Sequence, residues 1–546
     1  MSATKAWTIA VLVSMGLAIA NSAPFFFSLI RTPKGTVYLG TIHYWEDYFF
    51  YLNHFFQGAH GFWATQNRFT TEPLPSSFIY WNNILAGKIG GLLGMSPIIS
   101  YNTTVIILAF FAPILVFYIL LKIFRLPPVQ ALIGFLYANF STSLPNIVTA
   151  KEGGKIIWPY QIWGTPNLSL DRLGTAPNHL ERTIGFYLLF LFSFLPVPAA
   201  KKPKLYFFLT MCVIAASFAT INPIQAISFA LLFGGLRILI YILSKRPISR
   251  DELIRTACVV GVTLSFSFLT AQAMDVSPYK EAKVWEMANQ SKTIVSFLLA
   301  SIGPVLYFGI AGVLAHRKQM KEYHWFAFLF LGISYIVYMS PIPTKIGVSN
   351  LRVLFPALYV FWGAFAAIGF QATADWISKR LKINMLPAHI MVGVIILGMT
   401  IPTFWWELGW KKPDDVELNY AVVYLPTPIY EGFTALSTKT PYSDVTIANP
   451  KSRMNLLIPS LAGHTTYTGH PAATLNKDPK ISQSIQFFTL QMTQTQALEF
   501  LNTNHIRYVF FTMFEGDRTV FGQTYPFLTK IFENTESAIY EVKSGK

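Results

Sequence analysis

The feature that most constrains this chain is a succession of apolar runs, each of about 18 to 24 residues and almost free of charge. A helix of that length crosses a hydrocarbon core of roughly 30 Å while satisfying its own backbone hydrogen bonds. The candidate spans are 7–30, 101–121, 127–144, 183–199, 205–221, 225–243, 254–271, 293–315, 325–341, 353–374 and 388–406. With 53% apolar and 12% charged residues in 546, lipid must be the main solvent. The net charge of +16 would suggest nucleic acid in a soluble protein. Here it gathers in short loops between spans, so no nucleic-acid partner is expected.

Those loops set an orientation. With the N-terminus inside, the inner loops hold Lys122 and Arg125; Lys201, Lys202 and Lys204; Lys245, Arg246, Arg250 and Arg255; Arg317, Lys318 and Lys321; and Lys379, Arg380 and Lys382. About a third of inner-loop residues are basic against roughly a tenth outside, the asymmetry of the positive-inside rule. The expected location is a cell (plasma or inner) membrane, crossed about eleven times. Ala18-Ile19-Ala20 resembles a signal-peptide cleavage site, but the apolar stretch around it is longer than a usual signal core, so a retained first span is expected. Cys212 and Cys258 both lie inside apolar runs and offer neither a disulfide framework nor a thiolate metal site.

The outer segments 31–100, 142–182 and 272–292 are long. In the first, Tyr48–Phe56 and Phe78–Leu85 read as aromatic helices lying in the membrane interface, around a turn at Thr70-Thr71-Glu72-Pro73-Leu74-Pro75. Gly87 with Gly91, and Gly90 with Gly94, suit close helix packing better than a phosphate-cradling loop. Beyond Trp410 the polarity becomes ordinary and strand patterns alternate at 444–448, 507–512 and 538–542, with helices near 429–438, 482–491 and 494–503. The expected division is a membrane domain over 1–410 and a small extracytoplasmic α/β domain over 411–546.

Polar chemistry concentrates outside. Within the spans the clear charge is Arg237, close enough to Lys245 and Arg246 to snorkel inward. The sharpest outer feature is Glu46-Asp47, which follows His43-Tyr44-Trp45 and opens an amphipathic helix. The pair could merely favour the helix N-terminus, or could act as a base. Arg352, in Ser349-Asn350-Leu351-Arg352-Val353-Leu354-Phe355-Pro356, could anchor to headgroups or grip a phosphate through its planar fork. His464 and His470 of the tail lack nearby paired acids with catalytic or metal-ligand spacing, so the tail is expected to hold no primary catalytic group.

This arrangement resembles the GT-C superfamily of polytopic glycosyltransferases, which includes protein mannosyltransferases, oligosaccharyltransferases and lipid A aminoarabinose transferases. The resemblance rests on Glu46-Asp47 early in the first outer loop, the helix from Asp47 to Leu52, Arg352 ahead of Pro356, and an outer tail carrying Gly463-His464 and Tyr467-Thr468-Gly469-His470. It implies transfer of a sugar from a polyprenyl-phosphate-linked donor to a glycan, lipid or protein acceptor on the outer face. Asp47 would be the base, with Glu46 as partner or substitute. Arg352, and with it Arg172, Arg182 or Lys155, would stabilise the departing phosphate. Adjacent acids on a helix point to different faces, and the second outer loop offers only scattered Glu152, Asp171 and Glu181, so no obligatory metal is expected. A transporter or lipid flippase, and a non-catalytic assembly protein, are the competing classes.

Overall fold

The computed structural model describes residues 1–546 except 42–43, 150–152, 175, 245–247, 411–420 and 544–546. His43, Lys151, Glu152, Lys245 and Arg246 therefore lie outside the described residues, as does the boundary expected near 410.

All eleven apolar runs fall on helices, and those helices differ in length and apolarity. Among the described residues six are long and apolar enough to cross a bilayer: Ala3–Ile30, Pro97–Lys122, Lys201–Ile221, Pro223–Leu243, Arg250–Ala273 and Met385–Gly409. A seventh is possible if Val295–Ile302 and Pro304–Gln319, bent by 87°, count as one. The bend has a local cause in Gly303, at φ 80°, followed by Pro304 at the first position of the next helix. The run expected at 127–144 is helical only over Pro128–Phe140, whose 13 residues rise roughly 20 Å. The sequence pattern thus locates the helices, of which six to seven among the described residues meet the length and apolarity needed to cross unaided.

By internal contacts the chain forms two compact units. One comprises residues 1–21, 105–272 and 283–412; the other comprises 22–104, 273–282 and 413–546. This division differs from the expected one, because the first outer segment groups with the tail.

The first unit is helical around a core dense in phenylalanine, with Phe190 and Phe361 at 4.9 Å and Phe229 and Phe326 at 4.7 Å between ring centroids. Helices Pro304–His316 and Leu358–Leu381 touch backbone to backbone. A Cβ at Gly312 would collide with the Phe365 carbonyl oxygen, and one at Gly369 with that of Phe308. Such close approach is what small residues contribute where lipid removes the hydrophobic drive between helices. Arg237 does not simply snorkel here: its Nε lies 2.8 Å from Glu322 Oε1.

The second unit centres on a five-stranded sheet in the order Thr465–Thr466, Val445–Ile447, Ile506–Thr512, Ser537–Val542, Leu528–Glu533. The first three strands run parallel and the remaining pairings are antiparallel. Helices Lys477–Phe488, Gln494–Thr503 and Arg518–Thr524 accompany it, and Phe487, Phe511, Phe521, Tyr525 and Tyr540 form its core. The segment from the first outer loop is built into this unit. Thr36–Tyr38 pairs antiparallel with Tyr424–Pro426, the Thr466 N–H donates to the Arg68 carbonyl at 2.8 Å, and Ser460 Oγ donates to the Phe49 carbonyl at 2.6 Å. Helix Trp45–Ala59 packs on Trp81–Leu92 with Gly87 against the Phe55 backbone and Gly91 against Ala59, the packing role expected of those glycines. Gly94 instead closes the second helix at φ 71°, where an added Cβ would meet open space.

Candidate active site

Helix Trp45–Ala59 begins after Tyr44, whose left-handed backbone (φ 51°) turns the chain into it, and no side chain caps its first turn. Glu46 and Asp47 occupy that turn, where the positive end of the helix dipole favours them. Asp47 is open to solvent, its side chain 62% exposed, while Glu46 is half-buried. Arg453 lies over the Trp45 ring at 4.4 Å and places a cation at the same turn.

The tail supplies the partner that the sequence conceals. Nε2 of His470 stands 3.5 Å from Asp47 Oδ1, and the imidazole is itself largely buried. The Ala472 backbone N–H donates to His470 Nδ1 at 3.2 Å, so Nδ1 must carry a lone pair and the ring proton sits on Nε2, facing the carboxylate. Phe50 at 5.0 Å and Phe69 at 6.1 Å hold the ring in place. One acid from outside the tail, Asp47, thus meets His470. The signal of this pairing was hidden because Asp47 and His470 stand near opposite ends of the sequence. His464 is different: it bonds Thr440 Oγ1 at 2.9 Å and Thr446 Oγ1 at 3.0 Å, and burial, with Arg68 adding to it, pushes its imidazole down to about 4. It is a neutral structural residue.

Around this pair the unit is braced by buried polar contacts. Lys480 Nζ meets Glu72 Oε2 at 2.6 Å and Thr71 Oγ1 at 3.2 Å, and lies 5.1 Å from the Tyr467 ring centroid. Burial works against the Glu72 charge, yet hydrogen bonds from Lys480 and Thr70 prevail and hold its carboxyl below the usual carboxylate range. Arg68 fastens the Tyr442 carbonyl at 2.5 Å and the Gly463 carbonyl at 2.8 Å.

The expected phosphate-binding cations lie in the other unit, and the structure treats them unequally. Arg352 ends a short turn over Asn350–Arg352 and keeps 40% of its side chain exposed. It engages Glu286 in a forked pair, with Nε at 3.0 and 3.1 Å from the two carboxylate oxygens and Nη2 also on Oε1. Glu286 was not anticipated, because it sits in an outer helix, Tyr279–Ala288, that carries several charges of both signs.

Arg172 is an interior residue at 6% exposure, stacked on Tyr359 at 3.8 Å and donating to the Ser141 carbonyl. Burial lowers its guanidinium pKa, with Tyr359 and Glu407 working in the other direction. That placement is one of structural support. Arg182 is half-buried in helix Pro177–Phe194, and Lys155 stands exposed at the start of strand Lys155–Pro159. Asp171 and Glu181 contribute no cluster with Glu46 or Asp47, and among the described residues no three His, Cys, Asp or Glu side chains converge as a metal site would require.

The fold that carries this arrangement is shared with solved structures of an oligosaccharyltransferase and an arabinofuranosyltransferase. Among solved structures the chain is similar to the oligosaccharyltransferase of Archaeoglobus fulgidus in its apo form, at 12% identity and a TM-score of 0.53, over 93% of this chain and 69% of that one. It is similar too to that archaeon's oligosaccharyltransferase AglB in complex with an inhibitory peptide and a dolichol-phosphate, at 12% identity and a TM-score of 0.50, over 92% and 69%. A mycobacterial arabinofuranosyltransferase, AftD, matches at 12% identity and a TM-score of 0.50, over 100% of this chain and 42% of that longer one. No protein-family model matches the sequence, and no curated protein is similar to it in sequence.

Proposed function

We propose that the protein is a glycosyltransferase that takes a sugar from a polyprenyl-phosphate donor and passes it to an acceptor on the outer face of the membrane. The observation that carries this reading is the solvent-open Asp47 carboxylate, with His470 aimed at one of its oxygens, on a GT-C fold. The other oxygen of Asp47 is then available to take a proton. An acceptor hydroxyl gives its proton to Asp47 as its oxygen bonds the anomeric carbon, while the bond from that carbon to the phosphate oxygen breaks. The leaving phosphate departs as an anion that a guanidinium fork would stabilise; Arg352, whose fork holds Glu286 within the other unit, is a separate candidate for binding phosphate.

Glu286 keeps that guanidinium oriented until an anion competes for it. The donor class draws on the dolichol-phosphate held by the similar AglB structure. His470 and Asp47 together make a poor set for a hard divalent cation, and no step is assigned to one. Purified protein incubated with a panel of polyprenyl-phosphate sugars and simple acceptors should release free polyprenyl phosphate from at least one donor. Failure with every sugar and chain length in a folded preparation would remove the reading.

The site must face outward for this chemistry. We place the N-terminus inside, about eleven crossings, the tail from 411 onward as an extracytoplasmic α/β domain, and the whole in the cell membrane. A tag after Lys546 should be reached by impermeant reagents from outside intact cells. Cysteines at Lys202→Cys or Lys318→Cys should react only after the membrane is opened. The reverse pattern would put Asp47 on the wrong side for a lipid-linked donor presented outside.

A further inference from the structure

Strands Pro145–Thr149 and Lys155–Pro159 of the first unit pair antiparallel, Ile147 opposite Ile157 and Val148 opposite Ile156, and neither pairs with a third strand among the described residues. Residues opposite one another share a face, so Ile147 and Ile157 lie on one side of the hairpin and Ile156 and Trp158 on the other. Both sides are apolar and partly open, with Ile147 69% exposed and Ile156, Ile157 and Trp158 each above 40%. A lone two-stranded hairpin is marginal in water, and one with two greasy faces and two open edges would aggregate there.

Its position in the unit says what covers it. The hairpin packs on helix Met385–Trp410, and Trp158 meets Trp406 with ring centroids 5.1 Å apart. That helix is one of the six able to cross a membrane, and most of its surface is unburied, Trp405 being 76% exposed. Only lipid can cover such a surface over its length, and the hairpin continues it at the end where tryptophans cluster, as they do at membrane boundaries. The open strand edges exclude the hydrocarbon centre, where unpaired backbone groups are not tolerated. The exposed Lys155 suits the level of anionic headgroups.

We infer that the paired strands 145–149 and 155–159 form a membrane-contacting element that lies in the polar–apolar boundary of the leaflet at the Trp410 end of its supporting helix, with bilayer lipid as its occupant. Its exposed apolar side chains reach the acyl boundary, its edges stay at the level of the headgroups, and Trp158 with Trp406 fixes its depth. This placement is independent of sugar transfer.

The full chain, with Cys212→Ala and Cys258→Ala, would be assembled in lipid nanodiscs carrying one new cysteine labelled with a nitrobenzoxadiazole fluorophore. Ile147→Cys and Ile156→Cys probe the two faces, and Asp478→Cys, at a side chain 90% exposed, is the aqueous control. Emission at 147 and 156 should be blue-shifted by on the order of 10 nm from the control and quenched about twofold or more by brominated acyl chains, as expected of groups sunk into the interface. Water-like emission at both positions would overturn the placement. Blue-shifted emission that bromine leaves unquenched would also overturn it, in favour of a protein cover such as a second copy.

Discussion

Asp47→Asn should lower sugar transfer by roughly 10²-fold or more, since the amide keeps the shape of the carboxylate but takes no proton at neutral pH. Because the side chain is exposed in the first turn of its helix and braced by a single imidazole, the substitution should leave folding intact. Donor binding should survive, so the loss belongs in kcat and not in KM. Single-turnover measurement at saturating donor separates the two. Glu46→Gln, next along the same turn, is the comparison: a large loss there with an active Asp47→Asn would move the base by one residue and leave the rest of the mechanism standing. A double change with His470→Ala should cost little more than Asp47→Asn alone, because a group that acts by orienting another has nothing left to orient.

Glu407→Ala should unfold the first unit more readily than any other single change considered, by about 3 to 5 kcal/mol. Glu407 is 2% exposed and accepts from the Ser169 N–H at 3.0 Å, Ser169 Oγ at 2.8 Å, the Leu170 N–H at 2.8 Å and the Thr142 hydroxyl. Removing the carboxylate strands two backbone donors in the interior. Glu407→Gln is also expected to destabilise, by about 1 to 3 kcal/mol, because both oxygens already receive a backbone N–H and an amide nitrogen must face one of them. Thermal melting of detergent-purified protein by size-exclusion fluorescence would register both. An alanine variant melting within about 2 °C of wild type would show that the anchor is unnecessary.

What could be read from sequence follows from range. Apolar runs and paired glycines are local signals, so helix positions and the close packing at Gly87 and Gly91 were available from neighbouring residues alone. Strands at 444–448, 507–512 and 538–542 were likewise close to the observed Val445–Ile447, Ile506–Thr512 and Ser537–Val542. Pairings across the sequence had no such signal. Glu407 sits in Phe404-Trp405-Trp406-Glu407-Leu408, where an acid after three aromatic residues reads as a helix meeting water, and its partners at 142 and 169–170 belong to another loop. Glu286 was hidden among the mixed charges of its helix, and His470 could be connected with Asp47 only once the tail and the first outer segment were seen to share one unit.

That shared unit bears on how the protein is made. Residues 22–104 leave the ribosome early, whereas the strands and helices that complete their fold, from 424 to 542, are synthesised last. Through most of translation the helix carrying Asp47 would therefore lack its imidazole and the Arg68 and Glu72 anchors their partners, a delay inherent in contacts of such long sequence separation. A ribosome stalled or a chain cut before residue 424 would leave the helix that carries Asp47 without the strands and helices that complete its unit. Only a chain completed through its last strands can therefore assemble the unit that surrounds Asp47.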